Sequence, residues 1–225
     1  MLEKGFSPRQ IVQIPNGISV ADFVPPDAAR ERYRKILGFH QEQKVVMFVG
    51  RLLPKKGVDL LLRAWAKVCQ EHPTAHLVIL GDGPFRAELS ALADTLGVSK
   101  HVSFQGHVDN VSHYLWAADV FVLPSKAEGL SNALMEAMAA GLPCVASKVG
   151  GNIDLITDGE NGLLFDSGNE AQLVAALSNL LRNEAEARKL GRKARKTVET
   201  EFSLSSVVAQ YINLYKRLLK NGEGE

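Results

Sequence analysis

Only two cysteines, Cys69 and Cys144, occur among the 225 residues. That excludes a disulfide-built scaffold and a site of several thiolates on one metal. Cys144 lies in the apolar run Pro143-Cys144-Val145-Ala146, where a buried, inert thiol is expected. Such sparing usage fits a reducing compartment. An excess of one charge is also missing: 26 Lys and Arg stand against 25 Asp and Glu, a formal net charge of +1. That balance gives no global attraction to nucleic acid or to an anionic membrane. No apolar run approaches the roughly 20 residues that a membrane-crossing helix requires. The opening Met1-Leu2-Glu3-Lys4-Gly5 lacks the apolar core of a secretory signal. A cytoplasmic protein without a transmembrane segment is therefore expected. What is present suffices for a packed core: 46% of residues are hydrophobic and 23% charged. A chain of this length buries roughly 70% of its unfolded surface without any covalent staple.

Short runs rich in β-branched residues alternate with segments of helical period. Val45–Val49 reads as a buried strand. Val58, Leu61, Leu62, Trp65, Val68 and Cys69 then share one face of a helix over about 58–69. The next strand is 77–80, closed by Gly81-Asp82-Gly83-Pro84; the helix after it runs to about Leu96 and stops at Gly97. Further strands are read at 102–104, at Val120–Leu123, from Val145 and Ala146, and at Leu163–Phe165. Helices are read at 111–118 and at about 131–140, the latter stopping at Gly141. Strands apolar on both faces, with helices between them, imply a parallel sheet covered on each side. Right-handed crossovers make this a doubly wound, Rossmann-like α/β sheet of about six strands, whose ligands bind beyond the carboxyl ends of the strands.

The two ends differ from this middle. Ile14-Pro15-Asn16-Gly17 is a turn signal, followed by a charged helical stretch near 28–37. Beyond Asn169 the chain reads as helical and charged. Arg188, Lys189, Arg192, Lys193, Arg195 and Lys196 crowd one segment, either a solvated helix or a docking patch for anionic lipid or a partner. From 205 to 219, Val208, Ile212, Tyr215 and Leu219 recur at helical spacing.

Three loops that follow strands carry residues suited to chemistry. Gly50-Arg51-Leu52-Leu53-Pro54-Lys55-Lys56-Gly57 opens a helix; its glycine admits close backbone approach, and Arg51 and Lys56 can neutralise phosphate oxygens. It lacks the Gly-Lys-Ser/Thr of a Walker loop. The turn at Gly81 falls short of a dinucleotide fingerprint, because Arg86 takes the third glycine's place. The most specific constellation is Glu128-Gly129-Leu130-Ser131-Asn132-Ala133-Leu134-Met135-Glu136-Ala137-Met138. Ser131 is placed to cap a helix, so that amides near Leu130, Ser131 and Asn132 favour an anion in the crevice. Glu136, one and a half turns into that helix, can accept paired hydroxyls such as a ribose offers. An ordinary capped amphipathic helix with an exposed glutamate fits the same pattern. A retaining glycosidase needs its carboxyl groups about 5–5.5 Å apart; a helix start between Glu128 and Glu136 aims them at different parts of a ligand instead.

Arg51 with Lys56, the Gly81-Asp82-Gly83-Pro84 turn, Gly106-His107-Val108, Glu128 through Glu136, and Gly150-Gly151 occur here in that order. From about residue 14 to 219 the chain thereby resembles family 4 of the retaining glycosyltransferases. The resemblance implies the GT-B fold, two Rossmann-like domains facing across a cleft. Residues 1–225 would be the C-terminal, donor-binding half, a single domain entered at Ile14-Pro15-Asn16-Gly17. The N-terminal acceptor domain would be absent, and a helix at about 203–220 would cross back toward it, so that its apolar stripe would be exposed or find a substitute partner. By the same resemblance Gly50, Arg51 and Lys56 would bind the donor diphosphate. Gly129, Leu130, Ser131 and Asn132 would bind phosphate or sugar, and Glu136 the ribose. Glu128 would meet the transferred sugar near its anomeric carbon, and His107 and Val108 would lie beside the nucleobase. Asp82 is expected on the same rim, and Glu128, Arg51 and Lys56 are the expected catalytic set. Asp154 stands where many relatives carry Glu and is left out of the site.

The implied donor is a UDP-sugar or GDP-sugar, with a hexose transferred in retaining fashion. No metal is expected to be required, since the chain has no Asp-x-Asp and Arg51 and Lys56 can take the cation's part. The expected partners are this donor and the missing domain, with no nucleic acid; peripheral membrane association of the full enzyme is left open. The rival readings are a non-catalytic nucleotide-sugar-binding module and an epimerase of the same fold.

Overall fold

A computed structural model describes residues 11–222. The first half of the chain forms α1 (Ala29–Ile36), β1 (Val45–Val49), α2 (Val58–Glu71), β2 (His76–Leu80), α3 (Arg86–Thr95), β3 (Val102–Gly106) and α4 (Val111–Ala117). Then follow β4 (Val120–Leu123), α5 (Asn132–Ala139), β5 (Cys144–Ser147), α6 (Asn152–Leu155), β6 (Leu163–Phe165), α7 (Glu170–Arg182), α8 (Glu184–Thr197) and α9 (Leu204–Gly222). Each strand read from the sequence forms, as do the helices between them. The short α6 carries no periodic signal and was not anticipated.

The six strands form one sheet in the order β3-β2-β1-β4-β5-β6, with every neighbouring pair parallel. Apolar runs make this possible: Val45, Val46, Met47 and Phe48 of β1 and all four residues of β4 are buried, so both faces of the sheet are covered. Helix α2 lays Leu61, Leu62, Trp65 and Val68 into the core. The indole of Trp65 is fully buried, and its Nε1 donates to the His101 carbonyl at 3.1 Å. Trimming such a ring to alanine costs about 3–5 kcal/mol. Also at the amino ends of the strands, Arg34 of α1 donates to the carbonyls of Ala117 and His40 at 2.8 Å each and pairs with Asp119 at 3.2 Å. Asp119 in turn accepts from the Val45 amide at 2.7 Å, so one buried arginine ties α1 to the starts of β1 and β4.

The strand order reverses between β1 and β4, which pair through Val46 with Val120 and Met47 with Phe121. Two glycines let neighbouring loops meet, Gly57 those after β1 and β4 and Gly150 those after β5 and β4. Gly57 has φ +67°, and a Cβ there would sit 2.0 Å from the Pro124 carbonyl oxygen. Gly150, with φ +36°, would place a Cβ 1.9 Å from the carbonyl oxygen of Glu128. No L side chain fits either contact.

Beyond the sheet, α8 buries Ala187, Leu190, Gly191 and Ala194 and leaves its cations outside, Arg188 pairing with Glu184 and Arg195 with Glu199. Exposed pairs of this kind stabilise by at most about 1 kcal/mol. A π-helical turn, Val198–Phe202, leads into α9. The amide of Ile18 donates to the Phe202 carbonyl, and that of Leu204 to Ile18, so the incoming chain lies beside the root of α9. As expected, α9 exposes an apolar stripe of Leu204, Val208, Tyr211, Ile212, Tyr215, Leu218 and Leu219. Among the described residues no helix is long and apolar enough to cross a membrane.

Candidate functional site

A reversal of strand order opens a crevice at the carboxyl ends of the strands, because the flanking loops there part. Here the flanking loops are those after β1 and β4, which carry Gly50 to Gly57 and Ser125 to Ser131. They are joined by backbone and side chain: the Lys126 amide donates to the Lys55 carbonyl at 2.7 Å, and Lys56 Nζ lies 2.6 Å from Glu128 Oε1. The remaining loops extend the rim. The Leu52 amide donates to Asp82 at 2.9 Å, the Gly81 amide to Gly106 at 2.7 Å, and the Gly151 amide to Glu128 at 3.3 Å.

Ser131 caps α5 as read from the sequence: its Oγ accepts from the Leu134 amide at 3.4 Å, and its carbonyl from the Met135 amide at 3.1 Å. The amides of Gly129, Leu130, Asn132 and Ala133 have no acceptor among the described residues, which leaves the positive end of the helix open to an anion. Glu128 and Lys56 are largely enclosed, with 9% and 17% of their side chains exposed. Arg51 is exposed and forms no ion pair among the described residues. Glu136 is half-buried, and its carboxylate has no hydrogen-bond partner among the described residues. Burial holds its carboxyl above the usual carboxylate range. It is a group short of donors.

Not all expected site residues converge equally. Asp82 closes its own turn, accepting from the Gly83 amide at 2.7 Å and facing Arg86 at 3.2 Å. His107 is 86% exposed and lies 3.8 Å from Asp109. Val108 is half-buried against the core. These three stand on the β2 and β3 side of the rim, apart from the Lys56–Glu128 contact. Sequence reasoning missed the support under that contact: Ser125 donates to Glu128 Oε1 at 2.5 Å from a fully buried position. Its only signal was its place directly after Pro124, at a strand end where an apolar residue would have packed as well.

A cavity of about 500 Å³ adjoins the site, lined by Ile14, Asn16, Leu130, Gly151, Asp154 and Phe202. Asp154, left out of the site on sequence grounds, thus lies on its border. A separate cavity of about 240 Å³, among Arg30, Asp119, Pro143 and Arg188, opens at the amino ends of the strands, away from this crevice. Among the described residues no cluster of three His, Cys, Asp or Glu is arranged to hold a metal ion.

Fold and site together define a Rossmann-like domain of the GT-B glycosyltransferase class. The chain belongs to the family "Glycosyl transferases group 1", which matches residues 29–197. It is 39% identical over 189 residues to the D-inositol 3-phosphate glycosyltransferase of Acidothermus cellulolyticus, covering 79% of this chain and 42% of that one. The chain spans about half the length of the curated relatives it matches. Among solved structures, Anabaena HepE in complex with UDP and glucose superposes with a TM-score of 0.87 at 23% identity, over 96% of this chain and 59% of that one. The C-terminal domain of a group 1 glycosyl transferase family protein (LpcC) from Francisella tularensis superposes at 0.74 and 22% identity, over 84% of this chain and all of that one. Identities this low speak for the fold alone.

Proposed function

We propose that the chain is the donor-binding half of a retaining glycosyltransferase of family 4 and holds a nucleoside-diphosphate sugar, UDP- or GDP-linked, in the crevice between β1 and β4. The observation that carries this reading is the 2.6 Å contact of Lys56 with Glu128 across the reversal point, beside the open start of α5. Arg51, Lys56 and the amides from Gly129 to Ala133 would bind the diphosphate, Glu136 the ribose, and Glu128 the transferred hexose. His107 and Val108 would flank the base from the β3 side. As the glycosidic bond breaks, negative charge grows on the leaving diphosphate, and preoriented cations and amides stabilise that growth. In this reading Arg51 and Lys56 supply the positive charge, and no metal is required.

Support comes from three directions. The chain has half the length of its curated relatives, its fold matches a solved C-terminal domain over that domain's whole length, and a protein of like fold has been solved with UDP. In the whole protein an N-terminal half would hold the acceptor, and the stripe of α9 would pack toward it. We place the protein in the cytoplasm, where two free thiols, one of them buried, remain reduced. Titration calorimetry of this chain with UDP, GDP and ADP tests the core of the proposal. Micromolar to sub-millimolar binding of one of them is expected, and absence of any affinity at millimolar concentration would overturn it.

A further inference from the structure

Glu128 is fixed through one oxygen only. Its Oε1 accepts from Lys56 Nζ at 2.6 Å and from Ser125 Oγ at 2.5 Å, while Oε2 has no partner among the described residues. Ser125 stands two residues beyond β4 and is fully buried. Its carbonyl accepts from the hydroxyl of Ser147, the last residue of β5, whose own carbonyl accepts from Asn152 Nδ2 at 3.0 Å. Three polar side chains, each wholly shielded from solvent, thus run from α6 through two strand ends to a single carboxylate. Buried hydroxyls and amides gain little net stability even when bonded, and cost about 1–3 kcal/mol when not. Behind the Ser125 hydroxyl, the other two bonds hold backbone carbonyls at the strand ends.

We propose that Ser125 is a positioning residue for donor recognition: it holds Glu128 by Oε1, leaving Oε2 open to a sugar hydroxyl, while Lys56 turns to the diphosphate. The inference rests on the donor-binding reading above. One ammonium cannot neutralise both a carboxylate and a diphosphate at full strength. When the diphosphate draws Lys56, Glu128 loses its ionic partner and gains a like-charged neighbour. An unrestrained carboxylate would swing away from that charge. Ser125 is a donor for which the ligand does not compete, because it is wholly buried, and it keeps the carboxylate where the sugar arrives.

The experiment is calorimetry on this chain with paired probes, UDP against UDP-glucose and GDP against GDP-mannose. In Ser125→Ala the nucleotide sugar is expected to bind about tenfold more weakly, the loss of one hydrogen bond to a charged group, while the bare diphosphate changes less than about twofold. Ser125→Thr, which keeps the hydroxyl, is expected to recover the sugar affinity. Equal losses for both ligands, no loss for either, or no recovery in a Ser125→Thr protein that melts as the unaltered chain does would each overturn the assignment. Should Ser125→Ala fail to fold, Ser125→Cys, of similar size and a weaker donor, reads the same ratio. An unaltered chain that binds neither diphosphate would overturn the functional reading and this assignment together. Normal binding with an unchanged ratio in Ser125→Ala overturns this assignment alone.

Discussion

Lys56 and Glu128 stand 72 positions apart in sequence, on loops after different strands, yet their charged atoms meet at 2.6 Å. The pair satisfies two largely enclosed charges when no ligand is there. It also sets them in competition with any diphosphate that arrives, which gives a counterintuitive expectation. Glu128→Gln keeps the shape of the side chain and releases the lysine, so UDP or GDP alone should bind more tightly, by about threefold or more. The corresponding nucleotide sugar should gain less or lose affinity, because the acceptor of its hydroxyl is weakened. Calorimetry with both ligands measures this; weaker binding of the bare diphosphate in Glu128→Gln would show that the pair does not restrain Lys56.

Arg51, exposed and without an ionic partner among the described residues, has no evident structural duty. Arg51→Ala should therefore leave the melting temperature within about 1 °C, as surface substitutions do. Its effect should appear in binding. Diphosphate affinity should fall about tenfold or more, the loss of a charge-assisted hydrogen bond of about 1.5–3 kcal/mol, while uridine or guanosine binding is unchanged. Equal losses for nucleoside and nucleotide would place Arg51 outside the phosphate site.

Burial raises the carboxyl of Glu136 above its ordinary range. For an acid the sign is unfavourable: the folded chain holds this proton more tightly than the unfolded chain, so the group's contribution is fully present below the unfolded value and is lost as pH rises through the folded one. Raising the pH toward neutrality thus costs the ligand-free fold stability at this carboxyl. Glu136→Gln should raise the melting temperature at pH 7, with the gain vanishing near pH 4. The same change should weaken nucleotide binding, since glutamine accepts only one of two ribose hydroxyls well. Scanning calorimetry at the two pH values and a UDP titration test both halves. A stabilised variant with undiminished affinity would remove Glu136 from the ribose site.

Gly57 decides whether the two central loops can touch. Its φ of +67° and the 2.0 Å approach that a Cβ would make to Pro124 leave alanine no room. Gly57→Ala should cost about 3 kcal/mol and lower the melting temperature by roughly 6–12 °C. Because the displaced loop carries Lys56, diphosphate affinity should fall as well. A variant with wild-type stability would mean that the approach of the two loops relaxes without strain.

The sheet was legible because its signal is local. The run from Val45 to Val49, the Gly97 and Gly141 stops and the Ser131 cap each declare themselves within a few residues, and the alternation of elements then dictates a parallel, doubly wound topology. The strand order and the neighbouring positions of Lys56 and Glu128 came only with the structure, because a doubly wound sheet can be ordered in more than one way. The relay through Ser125, Ser147 and Asn152 was not legible, because it depends on which strand ends abut in space, and isolated serines after strands have no period. The π-helical turn at Val198–Phe202 escaped for a similar reason: the chain there is set by the bridge from Ile18 to Ser203, a contact between its two ends. Asp82 is a turn residue whose carboxylate is engaged by its own loop and Arg86.

The stripe on α9 bears on what the chain can do alone. Leu204, Val208, Tyr211, Ile212, Tyr215, Leu218 and Leu219 are each at least 44% exposed along one helix, rooted beside the incoming chain at Ile18. Apolar surface of this extent on a helix is ordinarily covered, and the half-length match to its relatives supplies a candidate cover, the acceptor-binding half. An isolated donor domain can bind but cannot bring an acceptor to the anomeric carbon, and it forgoes the orientation that accounts for about 7–11 kcal/mol of barrier lowering in well-aligned reactions. The chain by itself should therefore bind nucleotide sugar and show little or no transfer, while the full-length protein is expected to transfer a hexose with its anomeric configuration retained. Proton NMR of the product reports the anomer, and an inverted product would contradict the retaining assignment. Robust transfer to an acceptor by the 225-residue chain alone would contradict the half-enzyme reading, since everything needed to hold the acceptor would then reside in it.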